Sequence, residues 1–515
     1  MCSGNAIPYP TVPGAEILSL QSTLVSNYSQ FVHEGYYLNH HSVDVTNVSF
    51  CNVTVAYTHP GENDTVHVKV YLPLDGWNER MQAIGGNGWT AGFSSVSAPA
   101  MIGAVGQGYV AVTTDGGHYS DLTGDPSSWV LRSNGELNWH ALQDFASVTL
   151  NDAAIIGKSL AESVYGRAPK YSYWSGCSQG GRQGLMLAQR YPTAFNGIVA
   201  SAPAINIDRF MVTDYWPQLI MTLQDEYPYP CELNALTAAA IAACDGNDGV
   251  IDGLLSDPDS CHFDPHALVG TTFNCSDTGA EQKISKIAAD VASAAWMGAR
   301  STNGSFLWYG INRDAILSGN GLDTIGPANT ECDKNGTCVA APLSLLTDWI
   351  RVFVEKNPDF PLSNMTQEEF DQIFEKSVRE FDAIAGTNDP DLSAFRDAGG
   401  KMLTFHGLAD QIIPPNGTRQ YYNAVTAKDP NVHSYYRLFE SPGLAHCYSA
   451  SGGHPADIFD KLVAWVEQGI APETLTANYT TENGTVNHRI LCPYPQKAVY
   501  DGVGDPTAAE SFYCS

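Results

Sequence analysis

A serine between glycines carries the clearest sign of chemistry in this sequence. The segment 173-YWSGCSQGGRQG-184 contains Gly176-Cys177-Ser178-Gln179-Gly180, preceded by a predicted strand and followed by a predicted helix. This context is that of a nucleophile elbow, whose tight turn needs small residues beside the serine. The helix N-terminus offers free backbone N–H groups to a developing oxyanion, that of Gln179 first. A short Gly-x-Ser-x-Gly pattern also arises by chance in solvated turns, so the prediction depends on the flanking elements.

A nucleophilic serine needs an acid and a histidine base, usually in the chain order serine, acid, histidine. His446 lies in the glycine-containing loop 441-SPGLAHCYS-449, after the predicted strand 434–440. Asp410 lies in 404-TFHGLADQIIP-414, also directly after a strand. His406 and His433 fall within or at the start of strand-like runs and are predicted to be packing residues. Ser178, Asp410 and His446 therefore form the predicted catalytic triad.

Cysteines stand next to two members of this triad. Cys177 precedes the serine and Cys447 follows the histidine, 270 residues later (447 − 177). A disulfide between them would have a large stabilising effect in the chain-entropy model, before strain. It would also limit the relative movement of serine and histidine, which must meet within hydrogen-bond distance. The alternative is that Cys177 is a small buried thiol.

The elements that position these residues alternate between strands and helices. Strand patterns occur at 65–73, 80–84, 109–114, 169–176, 197–203 and 401–407, and helix patterns at 140–166, 180–192 and 456–469. Such alternation predicts βαβ units, a parallel sheet and an α/β fold. The first 60 residues or so predict irregular structure with short strands such as 48–59. From about 204 to 391 the runs are more helical, which predicts an insertion and three parts: 1–203, 204–391 and 392–515.

Composition restricts the partners and the compartment. The formal net charge is −29, from 55 acidic and 26 basic residues without a basic cluster, which disfavours nucleic acid or an anionic membrane as partner. No apolar run is long enough to span a bilayer. Twelve cysteines and eleven Asn-x-Ser/Thr sequons predict a secreted, disulfide-bonded glycoprotein. No signal peptide is visible after Met1, so we expect a mature sequence. The sequon asparagines are Asn27, Asn47, Asn52, Asn63, Asn274, Asn303, Asn335, Asn364, Asn416, Asn478 and Asn483.

The combination Cys177-Ser178, Asp410 and His446-Cys447 resembles the hallmark of the fungal and bacterial tannase/feruloyl esterase family. The glycine-rich loops 85-GGNG-88 and 114-TDGGH-118 are also similar, and the resemblance covers nearly the whole chain. It implies an α/β-hydrolase with a large inserted lid domain, a Cys177–Cys447 disulfide and two-step acyl transfer. The oxyanion would be held by the N–H of Gln179 and one from the 85–88 loop, with Gly86 to Gly88 as candidates.

An acidic loop lies within the predicted insertion. The segment 244-CDGNDGVIDGLLSDPDSC-261 contains Asp245, Asp248 and Asp252 in a glycine-rich context, oxygen ligands of the type that Ca²⁺ prefers. A solvated acidic turn is an equally good interpretation of these residues alone. The family resemblance favours a structural calcium ion held by the three aspartates and the backbone carbonyls of Val250 and Leu254, in a loop closed by Cys244–Cys261.

The remaining cysteine pairs are not fixed by sequence. Cys332–Cys338 would close a local loop, Cys492–Cys514 and Cys2–Cys51 would secure the two ends of the chain, and Cys231–Cys275 is left by elimination.

The function that the resemblance implies is hydrolysis of phenolic esters, either hydroxycinnamate (feruloyl) esters or galloyl esters, small or attached to polysaccharide. Feruloyl esterase is favoured slightly over tannase. A non-catalytic polyphenol- or glycan-binding scaffold would not need the complete triad and its two cysteines. A flat phenolic ring needs an apolar slot. The aromatic residues of the insertion are expected to form its own core instead: Phe210, Tyr215, Trp216, Tyr227, Tyr229, Trp296, Trp308 and Tyr309.

Overall fold

The structure is a computed structural model that describes residue 2 and residues 7–118, 124–319, 325–448, 451–481 and 484–515. Its strands are β1 (Glu16–Val32), β2 (Val43–Thr58), β3 (Val66–Pro73), β4 (Arg80–Ile84), β5 (Val110–Thr114), β6 (Tyr171–Cys177), β7 (Gly197–Ser201), β8 (Thr272–Cys275), β9 (Ala280–Lys283), β10 (Thr330–Cys332), β11 (Cys338–Ala340), β12 (Lys401–Gly407), β13 (Tyr436–Ser441), β14 (Leu475–Thr480), β15 (Val486–Leu491), β16 (Ala498–Tyr500) and β17 (Phe512–Cys514).

The α-helices are α1 (Ser97–Gly106), α2 (Ser127–Val130), α3 (Trp139–Gln143), α4 (Thr149–Tyr165), α5 (Gln179–Arg190), α6 (Ile207–Thr213), α7 (Trp216–Gln224), α8 (Pro230–Cys244), α9 (Lys286–Met297), α10 (Ser344–Asp348), α11 (Gln367–Phe381), α12 (Ser393–Asp397), α13 (Pro415–Lys428) and α14 (Ile458–Gln468). None of the described helices combines the length and the apolar character that a bilayer crossing requires.

The central sheet has the order β1-β2-β3-β5-β4-β6-β7-β12-β13. The strands from β5 to β13 in this order pair in parallel, whereas β1, β2 and β3 pair antiparallel and β3 joins β5 antiparallel. The central strands β5 and β7 are buried along their whole length, as expected for parallel strands covered on both faces. The predicted α/β class is confirmed.

Two apolar layers lie on opposite faces of this sheet because successive side chains of a strand point in opposite directions. On β6, Trp174 belongs to the core that contains α4, α5 and α13. Its neighbour Tyr173 belongs to the core that contains α1 and α14. Both faces of β6 are therefore fixed by packing, and the position of its last residue is fixed with them.

The N-terminal hairpin differs from the sequence-based expectation of irregular structure. Strands β1 and β2 are long and pair over most of their length, with irregular register between Val25 and Gln30. Asn27 and Asn47 take positive φ values, 53° and 54°, at this irregularity. Bulged residues break the period-2 pattern from which strands are recognised in a sequence, so β1 was not predicted, whereas the predicted strand 48–59 covers most of β2.

The strands β7 and β12 are adjacent in the sheet, yet residues 202–400 separate them in the chain. This segment, called the inserted segment below, contains α6 to α12 and the small hairpins β8–β9 and β10–β11. It packs on the sheet domain through a shared apolar core in which Trp89 and Trp349 stack with ring centroids 6.2 Å apart. The predicted boundaries at 203/204 and 391/392 both fall in loops.

Six disulfides link all twelve cysteines, and they are the six pairs that the sequence analysis named. They are Cys2–Cys51, Cys177–Cys447, Cys231–Cys275, Cys244–Cys261, Cys332–Cys338 and Cys492–Cys514.

Candidate active site

Ser178 occupies the turn between β6 and α5 with φ 61° and ψ −122°, a conformation that a residue with a side chain rarely adopts. Strain of this kind costs about 1–3 kcal/mol and is retained where the surroundings enforce it. A Cβ atom on Gly176 would lie 2.5 Å from the carbonyl carbon of Gly180, and one on Gly180 would lie 2.9 Å from the carbonyl oxygen of Gly86. The elbow therefore needs glycine at both positions, as its sequence indicated.

The structure brings His446 and Asp410 together. His446 Nδ1 lies 2.8 Å from Asp410 Oδ2. The other oxygen of Asp410 accepts hydrogen bonds from the backbone N–H groups of Ile412 and Ile413, each at 2.9 Å. The Asp410 side chain is completely buried. With Nδ1 engaged by the acid, His446 keeps Nε2 for the cavity that it shares with Ser178.

A second histidine contacts the acid, although the sequence analysis assigned it to packing alone. His406 Nε2 lies 3.1 Å from Asp410 Oδ2 and 3.1 Å from the carbonyl oxygen of Ile413. Both of these are acceptors, so the network assigns the proton to Nε2 and lets the Thr418 hydroxyl donate to Nδ1 at 2.9 Å. Strand β12 thus presents two polar groups, His406 and Asp410, at its carboxyl end. Nothing in the apolar pattern of β12 distinguished this histidine from a packed one.

Electrostatics keep Asp410 ionised. Burial acts to raise the pKa of Asp410, but the charge of His446 and the hydrogen bonds from His406 and His446 outweigh it and hold that pKa well below its ordinary value. A carboxylate fixed in this way orients the imidazole and stabilises the imidazolium that forms when the base takes a proton.

The Cys177–Cys447 disulfide connects the elbow directly to the loop that carries His446. The two Cα atoms are 6.0 Å apart. Cys447 has φ 62°, and the N–H of Tyr448 donates to the His446 carbonyl at 2.7 Å across it, which makes a three-residue γ-turn. Ser178 and Cys447, on the two sides of this tie, both have positive φ. The disulfide therefore joins strained Cys447, which follows His446, to Cys177, which directly precedes strained Ser178.

The three candidate oxyanion residues differ in the state of their N–H groups. The Gly86 N–H donates to Gln183 Oε1 at 2.9 Å, so its assignment as an oxyanion donor is corrected. Within the described residues, the backbone N–H groups of Gln179 and Gly88 donate no hydrogen bond. Gly88 has φ 51° and lines the same cavity as Ser178. Gln179 and Gly88 are therefore the pair that remains available.

Two buried side chains behind the elbow were not found from the sequence. Gln183 bridges α5 to the glycine loop, since its amide also donates to the Ala91 carbonyl at 2.7 Å. Arg182 is fully buried, and burial lowers its pKa to about 9. It donates to Gln179 Oε1 at 2.7 Å and to the carbonyl oxygens of Ala146 and Phe145. Both residues lie about one helical turn after Ser178. Their position behind the elbow can be recognised only once the start of α5 is known.

The triad opens into a cavity of about 580 Å³. Its described lining includes Ser178, His446 and the 85–88 loop, together with His33, Tyr36 and Tyr448 from the sheet domain. The inserted segment contributes Leu343 and Leu345. None of the eight aromatic residues named from the insertion is part of this described lining, and Phe210, Tyr215, Trp216 and Trp308 lie in the shared apolar core. The expectation that they form a core agrees with this packing.

Comparison with known proteins shows to which family the chain belongs. The family model described as "Tannase and feruloyl esterase" matches residues 51–515. A protein of Arthroderma benhamiae named "Probable feruloyl esterase" is 41% identical over 522 residues, which cover 99% of this chain and 93% of that protein. The chain belongs to the tannase and feruloyl esterase family.

Further relatives include a tannase of Aspergillus oryzae, 28% identical over 506 residues that cover 89% of this chain and 84% of that protein. The solved structure of a tannin acyl hydrolase from Aspergillus niger superposes with a TM-score of 0.86 at 26% identity, covering 100% of this chain and 95% of that one. As a member of this family the protein is a carboxylic ester hydrolase with an α/β-hydrolase fold, which confirms the resemblance.

The acidic loop of this esterase follows α8. Asp245 accepts the backbone N–H of Gly253 at 3.0 Å, and Asp248 accepts that of Val250 at 2.9 Å. Burial and the charges of Asp252 and Asp245 raise the pKa of Asp248, although hydrogen bonds from Ser256 and Val250 oppose this. Asp252 Oδ2 is engaged by Arg489 and by the Tyr479 hydroxyl, each at 2.7 Å. The three carboxylates thus form an anionic group whose oxygen donors fit a hard cation in type, with one of them held by an arginine.

In the described residues, two groups of side chains have ligand-type atoms within 4.8 Å of one another, and the three aspartates of the acidic loop are not among them. In the first, Cys231 and Cys275 accompany Asp277, but the sulfur atoms are bonded to each other and are not available as thiolate ligands. The second consists of His59, Glu62, Asp64 and Asp144. It lies outside the calcium loop that the sequence predicted.

Proposed function

We propose that this enzyme hydrolyses phenolic acid esters, with hydroxycinnamate esters such as feruloyl esters as its preferred class. The observation that carries this proposal is the position of His446: its Nδ1 is held by Asp410 and it faces the same cavity as Ser178. The cavity, about 580 Å³, lies in the range that accommodates small organic ligands. The feruloyl esterase relative that aligns over almost the whole chain supports the choice of acyl group.

Acyl transfer proceeds in two steps in this proposal. His446 takes the proton of the Ser178 hydroxyl, and the Ser178 oxygen attacks the ester carbonyl. His446 then returns the proton to the leaving alcohol, and water, activated by the same histidine, hydrolyses the acyl-serine. The backbone N–H groups of Gln179 and Gly88 are proposed to hold the oxyanion, since neither donates elsewhere within the described residues.

Galloyl ester hydrolysis is the second candidate. The likeness to a tannin acyl hydrolase over the whole chain supports it. Both acyl groups present a flat phenolic ring, and they differ in the length of the spacer between the ring and the carbonyl carbon. Tyr36, Tyr448 and Leu343 line the cavity. Their side chains would therefore select between the longer and the shorter acyl group.

The inserted segment is proposed to be a lid domain of about 204–391 that contains a structural calcium site. Asp245, Asp248 and Asp252 would supply carboxylate oxygens, and Val250 and Leu254 would supply backbone carbonyls. Oxygen-only donors in a glycine-containing loop suit Ca²⁺. When bound, the ion would hold this loop in shape and take no part in the chemistry at Ser178.

A secreted, glycosylated protein is proposed because six disulfides are typical of an oxidising compartment. The sequons agree with this: of their ten asparagines within the described residues, eight are exposed, while Asn52 and Asn416 are half-buried. Asn483 lies outside the described residues.

The test of function is a paired steady-state assay with methyl ferulate and methyl gallate. Wild type is compared with Ser178→Ala and with Ser172→Ala, which removes the same hydroxyl from a buried serine on the same strand. We expect Ser178→Ala to lose at least about 10³-fold in kcat, and Ser172→Ala to stay close to wild type. Faster hydrolysis of methyl ferulate supports the preferred class, and faster hydrolysis of methyl gallate the second candidate. Inertness of folded wild type toward both esters would contradict the proposal.

A further inference from the structure

A second buried polar cluster lies outside the active site, where the turn between β2 and β3 meets the start of α4. His59, Glu62 and Asp64 come from this turn, and Asp144 begins the π-helical turn Asp144–Val148 that precedes α4. One ligand-type atom from each of the four residues lies within 4.8 Å of the others. None of these residues is among those that line the cavity of Ser178.

Asp144 carries an unpartnered atom in this cluster. Its side chain is only 1% exposed, and within the described residues its Oδ1 has no hydrogen-bond partner. That atom points at His59, whose Nδ1 is 3.8 Å away. Leaving a buried carboxylate oxygen without a partner costs free energy, so such an atom indicates a missing ligand.

Charge is also unbalanced here. Asp64, Asp144 and Asp152 surround the single imidazole of His59, and the half-buried Glu62 adds a fourth carboxylate. Among the described residues no lysine or arginine forms an ion pair with any of the four. Their ion-pair partners are histidines, including His140, whose Nδ1 is 3.3 Å from Glu62. A protonated His59 supplies one positive charge for four acidic side chains, of which Asp144 and Asp152 are buried and Asp64 and Glu62 are half-buried.

The orientation of His59 is that of a metal ligand. Its Nε2 lies 3.1 Å from Asp152 Oδ2, which also accepts the Tyr57 hydroxyl at 3.2 Å. Nδ1 lies 2.6 Å from Asp64 Oδ2, to which it donates a hydrogen bond, and 3.8 Å from Asp144 Oδ1. With the other proton kept on Nε2, loss of the Nδ1 proton would free a lone pair for a cation that also contacts these carboxylates. Carboxylate–histidine–metal arrangements use this same second contact to fix the ring and its tautomer.

We propose that His59 Nδ1 and carboxylate oxygens of Asp64, Asp144 and Glu62 form a binding site for one divalent transition-metal cation of the Zn²⁺ type. Mixed imidazole and carboxylate donors suit such ions, and Asp152 acts through His59 as a positioning residue. Donors that share a tetrahedral ion at about 2.1 Å stand roughly 3.4 Å apart. The present 2.6 and 3.8 Å separations of His59 Nδ1 from its two carboxylates lie on either side of that value.

Bound metal would join two segments of the sheet domain and lie near a third. Asp64 belongs to the β2–β3 turn and Asp144 to the start of α4, while a Cβ placed on Gly117, in the loop after β5, would lie 3.7 Å from Asp144 Oδ2. The site is therefore structural, and it stabilises the wall of the sheet domain without entering the ester chemistry.

The experiment measures Zn²⁺ binding to the full chain kept in excess Ca²⁺, so that the acidic loop is saturated. Wild type, Asp144→Asn and Asp290→Asn are dialysed against ZnCl₂, and bound zinc is counted by elemental analysis. Asp290→Asn is the control because Asp290 pairs with the half-exposed His266 in a surface group of similar composition. We expect wild type and Asp290→Asn to bind one zinc ion per chain, and Asp144→Asn to bind it at least about 100-fold more weakly.

Equal zinc binding by wild type and Asp144→Asn would overturn the proposal, as would the absence of bound zinc in wild type. X-ray absorption of the zinc in wild type gives a test that does not depend on how the variant folds. One imidazole with oxygen neighbours is expected, because His59 is the only histidine assigned to the ion. Two or more imidazoles, or any sulfur, would overturn the proposal.

Discussion

His406 shows how a residue that sequence assigned to packing comes to support the acid of the triad. Its ring is 1% exposed and fills space in β12, yet its Nε2 contacts Asp410 at 3.1 Å. Asp410 therefore receives support from both sides, from His446 and from His406, in addition to two backbone N–H groups.

Replacing His406 by phenylalanine keeps an aromatic ring and removes that contact. We expect kcat for the ester to fall about 10- to 100-fold with little change in KM, because Asp410 would orient His446 less well. The pKa of Asp410 should also rise, since His406 is one of the groups that lower it. His433→Phe is the matched control, because that histidine lies away from the triad. A kcat for His406→Phe equal to that of the control would contradict the positioning role.

At the scale of elements, the disulfide between the elbow and the His446 loop has a consequence for both stability and rate. Its loop of 270 residues gives an expected loss of about 5–6 kcal/mol on removal by Cys177→Ala/Cys447→Ala, before native-state strain. The pair Cys332→Ala/Cys338→Ala removes a loop of 6 residues and should cost about 2 kcal/mol.

The two double variants should also differ in catalytic activity. Measured well below both unfolding temperatures, kcat should fall for the Cys177/Cys447 variant and stay unchanged for the Cys332/Cys338 variant. The reason is that only the first tie holds Ser178 against His446. An unchanged kcat for the Cys177/Cys447 variant would show that the tie contributes stability alone.

A buried carboxyl in the inserted segment makes stability depend on pH. Asp314 is 8% exposed, neither of its carboxyl oxygens has a hydrogen-bond partner in the described residues, and burial raises its pKa to about 7. The folded protein thus keeps a proton on Asp314 up to about pH 7, whereas the unfolded chain loses it near pH 4. Since the folded state binds more protons between these values, the contribution of Asp314 makes stability fall as pH rises from about 4 to 7.

Asp314→Asn removes this dependence, because an amide does not ionise. Calorimetric unfolding gives the Tm of the variant minus the Tm of wild type at each pH. This difference should be more positive at pH 8 than at pH 5. Asp333→Asn, at an exposed loop position, serves as the control. An equal difference in Tm at the two pH values would contradict the buried-carboxyl account.

At the scale of the whole molecule, the proposed calcium ion couples the inserted segment to the C-terminal region. Asp252 of the acidic loop already contacts Tyr479 on β14 and Arg489 on β15. Adding Ca²⁺ at 100 times its Kd should therefore stabilise the metal-depleted protein by about 2.7 kcal/mol. Asp248→Asn should abolish this increase in thermal unfolding temperature, while Asp333→Asn should retain it. If Ca²⁺ raised the unfolding temperature of wild type and of Asp248→Asn equally, the acidic loop would be excluded as the calcium site.

The sequence predicted the parts of this molecule that depend on short local patterns. Ser178 was found because the strand before it and the helix after it are continuous in the chain, and the parallel strands were found because burial on both faces makes them uniformly apolar. Arg182 and Gln183 were missed because their roles arise from contacts with distant segments. His406 was missed because the apolar pattern of β12 does not show that its ring turns to Asp410, four residues later. Strand β1 was missed, and β2 was predicted only over 48–59, because irregularities at Asn27 and Asn47 interrupt their alternation. The Gly86 assignment failed because the side chain that occupies its N–H, Gln183, lies 97 residues away.

The central claim, that Ser178 is the nucleophile of an ester hydrolase, is tested most directly by covalent labelling. Wild type and Ser178→Ala would be treated with a fluorophosphonate, digested and examined by mass spectrometry. The account predicts one modified serine in wild type, Ser178, with activity lost in proportion to labelling, and no modification of the active site in Ser178→Ala. Labelling of a different serine, or full ester hydrolysis by a chain whose Ser178 is completely labelled, would contradict it.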